Sequence, residues 1–573
     1  MEPAEKTMAS WDGAQLFYRA WIPNDAKQKA LVLFHRGHEH SGRWAEMVEM
    51  LGLPDVAVFA WDARGHGRSP GERGAAESCQ VLVKDVDAFV SHIVRYHGFA
   101  YENIIILAHS VGAALVAAWV HDYAPPIRAM ILATAAFRVR LYLPLAIPAL
   151  RLKQKYLGPG FVKSYVKGGM LTHDRAQATF YESDPLIFRQ IAINILLDLH
   201  DLGTRLLADA GAINVPTLML AAGRDWVVRI DAQREFFQRL SSPVKRMHVF
   251  PAAYHSIFHE KERVQVLERV REFILERFGA DAATPSLLNA DKFGYTWEEY
   301  EYLKLRGKPQ FALVSAGLKT GGRLSKGINL GWRSGFDSGV TLDYIYENKP
   351  QGATRLGAFI DRQYLNSIGW RGIRERRKNL EKLLRSLIKE THAKGRPVNI
   401  LDIAAGGGRY VLEAMRAMPD VPVSALLRDN RQENVDAASR LAQGWGLTNA
   451  KAVCGDAFDR ASLSGLQPRP TIGVVSGLFE LFPSNEAVLT SLRGLADAIE
   501  PGGYLIYTNQ PWHPQLEFIA RVLRNREGKP WIMRRRTTAE MDELVRMAGF
   551  EKITMEVDKW GMFTVSIGRR LGE

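Results

Sequence analysis

The chain has 573 residues, of which 47% are hydrophobic and 24% charged. Those proportions exclude disorder, collagen and coiled coil as descriptions of the whole chain. At about 100–200 residues per domain, the length predicts two large units or three smaller ones. Two cysteines, Cys79 and Cys454, exclude a disulfide scaffold, and no Cys/His cluster has zinc-binding spacing, so no metal site is expected. The formal charge of +13 is uneven. Residues 1–280 hold 33 Lys+Arg against 29 Asp+Glu, and residues 281–573 hold 42 against 33. A basic surface attracts the phosphates of lipid headgroups or nucleic acid, but it also serves solubility alone.

The first residues, MEPAEKTMASWDG, are polar and lack the apolar core of a signal peptide. The most apolar stretch, 104–120, spans 17 residues and contains His109 and Ser110. A membrane span needs about 20 uninterrupted apolar residues. A cytoplasmic protein without a membrane span is expected.

Short apolar runs then alternate with helical patterns: ALVLFH, VAVFAWD, NIIILAHS, RAMILATA, PTLMLAAG and KRMHVFPA. Continuous apolar strands between helices predict a parallel sheet covered on both faces. The rhythm breaks over 137–213, a Leu-rich insertion with 10 Lys+Arg against 6 Asp+Glu. GADAATPS, 279–286, reads as a linker at the end of an α/β domain over 1–280. Residues 281–395 are less regular and read as linker and acceptor-side region. A second strand–helix alternation fills 396–573: VNILDIAA, VSALLRD, KAVCGDA, TIGVVSG, GGYLIYTN and KITMEVD. The fold class expected is α/β, with two such domains in tandem.

IIILAHSVGAALVAAWV is a strand, a sharp turn at Ser110 and a helix. Ala108 and Gly112 let strand and helix approach closely. This is a G-x-S-x-G nucleophile elbow with Ala in the first glycine position. A serine nucleophile needs a base, and the base an orienting carboxylate. In the chain order of such hydrolases, Asp225 after PTLMLAAGRD and His255 after KRMHVFPAAYHS fill those roles. Asp231 and His259 lie a turn too far from their strand ends. His109 is expected to pack the elbow.

With HRGHEHSGRW (35–44) and DARGHGRSPGERG (62–74), these motifs make residues 1–280 resemble monoglyceride lipases and lysophospholipases of the α/β-hydrolase superfamily. The resemblance implies an acyl-ester substrate and an oxyanion hole built from the amides of Gly37 and Val111. It also implies that 137–213 is a helical cap. An apolar, basic cap suggests peripheral contact with a membrane surface. Where the family has HGxG this chain has HRGH, so Arg36 and His38 stand beside the hole. They narrow it, or they add positive charge for a phosphate-bearing substrate.

In the second half, VNILDIAAGGGRYVLEA is a strand ending in Asp402, a glycine turn and a helix. Glycines there allow a ligand close to the backbone at a helix N-terminus. Asp429 ends the next strand, where a carboxylate binds ribose hydroxyls in dinucleotide folds. Asp456 ends the third. Residues 360–573 thereby resemble class I S-adenosylmethionine-dependent methyltransferases. The resemblance implies that cofactor, with Asp402, Ala404, Gly406, Gly408, Asp429 and Asp456 around it. NQPW (509–512) follows the fifth strand and reads as a turn. Tyr364 and Arg362 are candidate acceptor contacts, but core packing or a solvated helix face is the preferred reading of them. The whole chain resembles bacterial proteins that join an α/β-hydrolase to such a methyltransferase. The function expected is ester hydrolysis plus methyl transfer within lipid metabolism. Two alternatives are a nucleic-acid or small-metabolite methyltransferase in the second half and a non-catalytic binding module in either half. No dedicated nucleic-acid-binding module is visible.

Overall fold

Runs of Val, Ile and Leu without polar alternation can only be buried on both faces, and they form the centre of both halves. The computed structural model describes residues 2–24, 28–281, 285–305 and 307–572. It divides into two units, 1–285 and 286–573. The linker expected over 279–286 falls partly outside the described residues, at 282–284.

The first unit is built on strands β1 (Ala4–Ala9), β2 (Gln15–Trp21), β3 (Lys29–Phe34), β4 (Val56–Trp61), β5 (Ile104–His109) and β6 (Ala129–Ala133). A short antiparallel ribbon, β7 (Phe161–Lys163) with β8 (Gln190–Ala192), stands apart from the main sheet. The last two strands are β9 (Thr217–Ala222) and β10 (Lys245–Phe250). The main sheet has the order β1-β2-β4-β3-β5-β6-β9-β10 and is parallel from β4 onward. Its antiparallel edge, β1–β2, is invisible in the sequence pattern because β1 is nearly all exposed and lacks an apolar run. β5 is buried at every position and ends at the serine turn.

The cap lies between β6 and β9. Its long helix, Ile193–Asp209, carries Arg205 and Asp209 into the core. There the two nitrogens of the buried His121 lie 2.8 Å from Asp122 Oδ1 and 2.7 Å from Asp209 Oδ2, and Arg205 Nη2 donates to Asp122 Oδ2 at 3.0 Å. A charged cluster out of water is costly unless each member is paired, and here each is. The cap is thus fixed to the core through polar groups as well as through leucines. Helix Ala146–Leu157, by contrast, buries none of its residues.

The second unit holds β11 (Val398–Asp402), β12 (Val423–Asp429), β13 (Ala450–Cys454), β14 (Ile472–Val475), β15 (Tyr504–Asn509), β16 (Phe550–Val557) and β17 (Thr564–Arg570). The order is β13-β12-β11-β14-β15-β17-β16. The first five are parallel, and β17 runs antiparallel to both neighbours. The chain runs from β11 out to β13 at one edge and returns to β14 on the other side of β11, so the strand order reverses there. Ligands of such sheets sit at the strand ends beside that switch. Residues 286–395, read as a linker and acceptor side, belong to this unit. Helix Ile368–Ala393 places Leu380, Leu384 and Ile388 in one core with Ile400 of β11 and Ile506 of β15. Three consecutive arginines, Arg534 to Arg536, are almost wholly buried. Arg534 donates to Glu540 Oε1 at 2.8 Å, and Arg536 donates to Asn485 Oδ1 at 2.8 Å. Among the described residues no helix is long and apolar enough to cross a membrane.

Candidate active sites

Ser110 sits at φ 55°, ψ −113°, a conformation L-residues seldom adopt. The helix that starts at Val111 holds it there by close approach: a Cβ on Gly112 would lie 2.5 Å from the His35 carbonyl oxygen. That contact is why a side-chain-free residue stands two positions after the serine. The strained turn lifts Ser110 Oγ off the strand end, and His255 Nε2 lies 2.8 Å from it. His255 Nδ1 is in turn 2.8 Å from Asp225 Oδ2. Asp225 Oδ1 accepts backbone N–H bonds from Val227 and Val228 at 2.7 and 2.9 Å. All three side chains are buried. The structure therefore joins Ser110, His255 and Asp225 in one hydrogen-bonded chain. The competing residues are occupied elsewhere: Asp231 pairs with Arg229 at the surface, and His259 bridges Ser256 Oγ and the Arg43 carbonyl.

Val111 is the first residue of its helix, where amides have no intrahelical acceptor. Gly37 lies against it, since a Cβ there would meet Val111 Cγ2 at 3.2 Å. The residues flanking Gly37 are both buried or paired away from open solvent. Arg36 is buried, donates to Glu39 Oε1 at 2.9 Å and stacks on the Tyr181 ring of the cap. Against the cost of burial, Arg36 and Arg43 hold the Glu39 carboxyl below its usual range. Desolvation, aided by Arg36, holds the His38 imidazole down at about 4, so it is neutral near pH 7. His38 adopts φ 70°, which explains why the family has glycine there. Of the two groups expected to add positive charge beside the hole, His38 is uncharged and Arg36 shares the one Glu39 carboxylate with Arg43.

Two supports have no signature in the sequence motifs. Thr134 Oγ1 and His109 Nε2 both approach the His255 carbonyl, at 3.2 and 3.1 Å. His109 thus does more than pack the elbow; it steadies the loop that carries the base. Glu260, fully buried, accepts from the Tyr254 amide at 2.8 Å and sits 2.9 Å from Nδ1 of the cap residue His173. It ties the cap to the His255 loop. Its position a few residues beyond the histidine is the only clue the sequence holds.

In the second unit a cavity of about 380 Å³ opens at the ends of β11, β12 and β13. Ala404, Gly406, Gly408, Asp429 and Asp456 all line it. Gly406 and Gly408 have positive φ, but they differ. A Cβ on Gly406 would meet nothing within 4 Å, whereas one on Gly408 would strike Leu427 Cδ1 at 2.5 Å. Gly406 faces open space and Gly408 serves helix packing. Asp429 Oδ2 accepts the Gly406 N–H at 2.9 Å, and Oδ1 accepts from Arg431 N and Asn434 Nδ2. Asp429 Oδ2 keeps a lone pair for a further donor. Asp456 accepts the Phe458 N–H at 2.9 Å. This set fits a nucleoside with a charged tail: open backbone at a helix start, then two carboxylates in sequence along the strand ends. Asp402 departs from expectation. It is not in the cavity wall but fully buried below it, with Oδ1 accepting the Ala404 N–H at 3.2 Å. Desolvation pushes its carboxyl up to about 7.

Asp343 and Arg376, from the helices before β11, also line this cavity. A second cavity of about 210 Å³ adjoins it, and Tyr364 lines that one. Arg362 is outside both walls. Gln510 and His513 of the segment read as a turn also lie in the second wall. Their place just past the end of β15 is the signal that could have found them.

The site geometry defines a serine hydrolase of α/β fold in the first unit and a nucleotide-type ligand cavity in the second. Comparison with known proteins agrees. Residues 270–570, more than half of the chain, match the family model described as "Putative methyltransferase", and the chain belongs to that family. Residues 25–262 match the model described as "Serine aminopeptidase, S33". "Uncharacterized protein YnbC" of Escherichia coli (strain K12) is 46% identical over 577 residues, covering 99% of this chain and 98% of the relative. The "Monoacylglycerol lipase" of Mycolicibacterium smegmatis is 27% identical over 278 residues, covering 48% of this chain and 97% of the relative. The crystal structure of Paleococcus ferrophilus monoacylglycerol lipase superimposes with a TM-score of 0.42 at 22% identity, over 46% of this chain and 99% of that one. The chain is thus a two-domain protein that joins a hydrolase of the monoglyceride lipase type to a domain of this methyltransferase family.

Proposed function

We propose that the first unit is a serine carboxylic-ester hydrolase acting on monoacylglycerols or lysophospholipids. The observation that carries the reading is the chain from Ser110 Oγ through His255 to Asp225, set on a strained elbow. Ser110 Oγ attacks the ester carbonyl as His255 Nε2 takes its proton. Asp225 holds Nδ1–H and stabilises the imidazolium. The amides of Val111 and Gly37 receive the oxyanion, each worth about 3 kcal/mol to the barrier. His255 then protonates the leaving alcohol, and water, activated by the same nitrogen, frees the acid. The test is hydrolysis of 1-monooleoylglycerol by wild type and by Ser110→Ala, with labelling by a fluorophosphonate probe. Hydrolysis by Ser110→Ala at the wild-type rate would sink the assignment.

The second unit, in this reading, binds S-adenosylmethionine, which supplies a methyl group activated on sulfur. Ala404, Gly406 and the Gly408 turn would hold the methionine portion, Asp429 the ribose hydroxyls and Asp456 the adenine amine. Asp402 supports the turn from below. Calorimetric titration with S-adenosylhomocysteine tests this, with Gly406→Arg filling the open space as control. A lipid or a lipid-derived product is the acceptor the tandem arrangement favours.

A membrane surface is the partner that suits the cap. Leu143, Leu145 and Leu157 are each more than three-quarters exposed, and Lys153 and Lys155 are exposed on the helix that ends at Leu157. Exposed apolar side chains together with cations suit an anionic interface. Leu145→Glu with Leu157→Glu should abolish sedimentation with phosphatidylglycerol vesicles and leave hydrolysis of a water-soluble ester intact.

A further inference from the structure

The second cavity shares Asp337, Leu342, Arg376, Gly477 and Leu481 with the first, so a molecule in one reaches a molecule in the other. Beyond that shared wall the lining is aromatic and aliphatic, with Trp370, Trp531, Phe336 and Phe563 among it. Its polar groups are mostly donors. His513 Nδ1 accepts the Gln515 N–H at 3.1 Å, so the neutral ring carries its proton on Nε2. That nitrogen lies against Gly369 of the same wall. Burial holds His513 at about 4, which keeps it neutral near pH 7. Gln510 is 3% exposed, and neither its Nε2 nor Trp531 Nε1 has a hydrogen-bond partner among the described residues. Arg376, also buried, sits at the shared wall: its Nη2 would touch a Cβ on Gly477 at 3.0 Å, and Nη1 faces Glu480 at 3.4 Å.

Bases are scarce among the described lining residues. The Asp337 oxygens face Arg526 N at 2.6 Å and Arg526 Nε at 3.3 Å, and Glu480 faces Arg376. His513 has its one free lone pair occupied. An alcohol, phenol or ammonium acceptor would have to surrender a proton here, and of the two lining carboxylates Asp337 is held by Arg526 and Glu480 lies beside Arg376. A carboxylate arrives already ionised and needs only donors.

We propose that this cavity is the methyl-acceptor site and takes an apolar monocarboxylate, its oxygens held by Arg376 at the shared wall with Gln510, His513 and Trp531 as further donors. The acceptor role rests on the methyl-transfer reading above; the carboxylate site does not. A carboxylate oxygen forms the new C–O bond, the methyl–sulfur bond breaks with its electron pair left on sulfur, and no proton moves. The products are a methyl ester and a thioether. Hydrolysis of acyl esters is the class of reaction that supplies such an acid.

The test is calorimetric titration of the full chain with octanoate, 3-phenylpropanoate and the neutral octanamide, alongside S-adenosylhomocysteine. One of the two acids should bind at least about 10-fold tighter than octanamide, because charge-assisted bonds outweigh neutral ones. The acid that binds tells an alkyl from an aryl substrate. Gln510→Leu and Arg376→Gln should each reduce that preference several-fold, with S-adenosylhomocysteine affinity unchanged in Gln510→Leu. Labelled methyl should then appear as an alkali-labile ester. Octanamide binding as tightly as both acids would overturn the proposal, as would acid binding that neither variant alters. Acid binding without S-adenosylhomocysteine binding would keep the carboxylate site and overturn the methyl-transfer reading instead.

Discussion

The two sites of this chain are completed in different ways. At the first, the functional groups satisfy one another: Ser110, His255, Asp225 and two backbone amides form a closed hydrogen-bonded series. At the second, groups face a cavity, and buried nitrogens such as Gln510 Nε2 and Trp531 Nε1 have no partner among the described residues. Buried polar atoms left unpaired are costly, and native proteins keep few of them. The contrast teaches that the first site is internally paired, whereas the second leaves buried donors turned to a cavity. Mutations should therefore act on chemistry at the first site and on occupancy at the second.

The largest effect sharpens that contrast. Ser110→Ala should lower hydrolysis by about 10⁴-fold or more, because triad members act as one unit. Asp225→Asn should cost a similar factor, since it mis-sets the His255 tautomer while leaving the packing intact. Initial rates on 1-monooleoylglycerol check both. S-adenosylhomocysteine affinity should be unchanged in either variant. A fall in that affinity would break the picture of two independently built sites.

The same contrast governs how much is legible in the sequence. The triad can be read because its members must touch at fixed offsets from strand ends, and Ser110, Asp225 and His255 stand at those offsets. The glycine turn and Asp429 are legible for a related reason, as they bond each other across adjacent strand ends. Gln510, His513 and Arg376 are not. Arg376 meets Gln510 and His513 from a helix more than 100 residues away in the chain, and that convergence is encoded by no local pattern. The state of Arg36 is hidden because its partner, Glu39, looks like one more loop residue. Its burial under Tyr181 depends on the cap folding back, which no local motif reports. The sheet edge at β1 is hidden for want of an apolar run.

A second perturbation acts on one unit alone. Glu540 is buried beside Arg534 and Arg536, at 2.8 and 3.9 Å. Glu540→Gln leaves buried guanidinium charge uncompensated, which costs about 3–5 kcal/mol. Thermal or urea unfolding should show the second unit melting earlier while ester hydrolysis persists. Coincident loss of both would mean that the units fold as one, and the comparison between them would lose its basis.

The smallest effect concerns Asp402, whose burial raises its carboxyl from an ordinary 3.8 to about 7. The folded state therefore holds a proton that the unfolded chain releases near pH 4. The unit is favoured below the unfolded value and loses stability as pH rises from 4 through 7, where the folded carboxyl must ionise out of water. Asp402→Asn keeps an oxygen for the Ala404 N–H and has nothing to ionise. Its stability relative to wild type should rise between pH 4 and 8, each tenfold change in proton affinity being worth about 1.4 kcal/mol. Denaturant unfolding of the two proteins across that range measures the difference. A variant that gains nothing at pH 8 would mean that the carboxylate is ionised and satisfied in the fold. Asp402 would then be a charged member of the site, as the motif alone suggests, and not the neutral support its burial makes it.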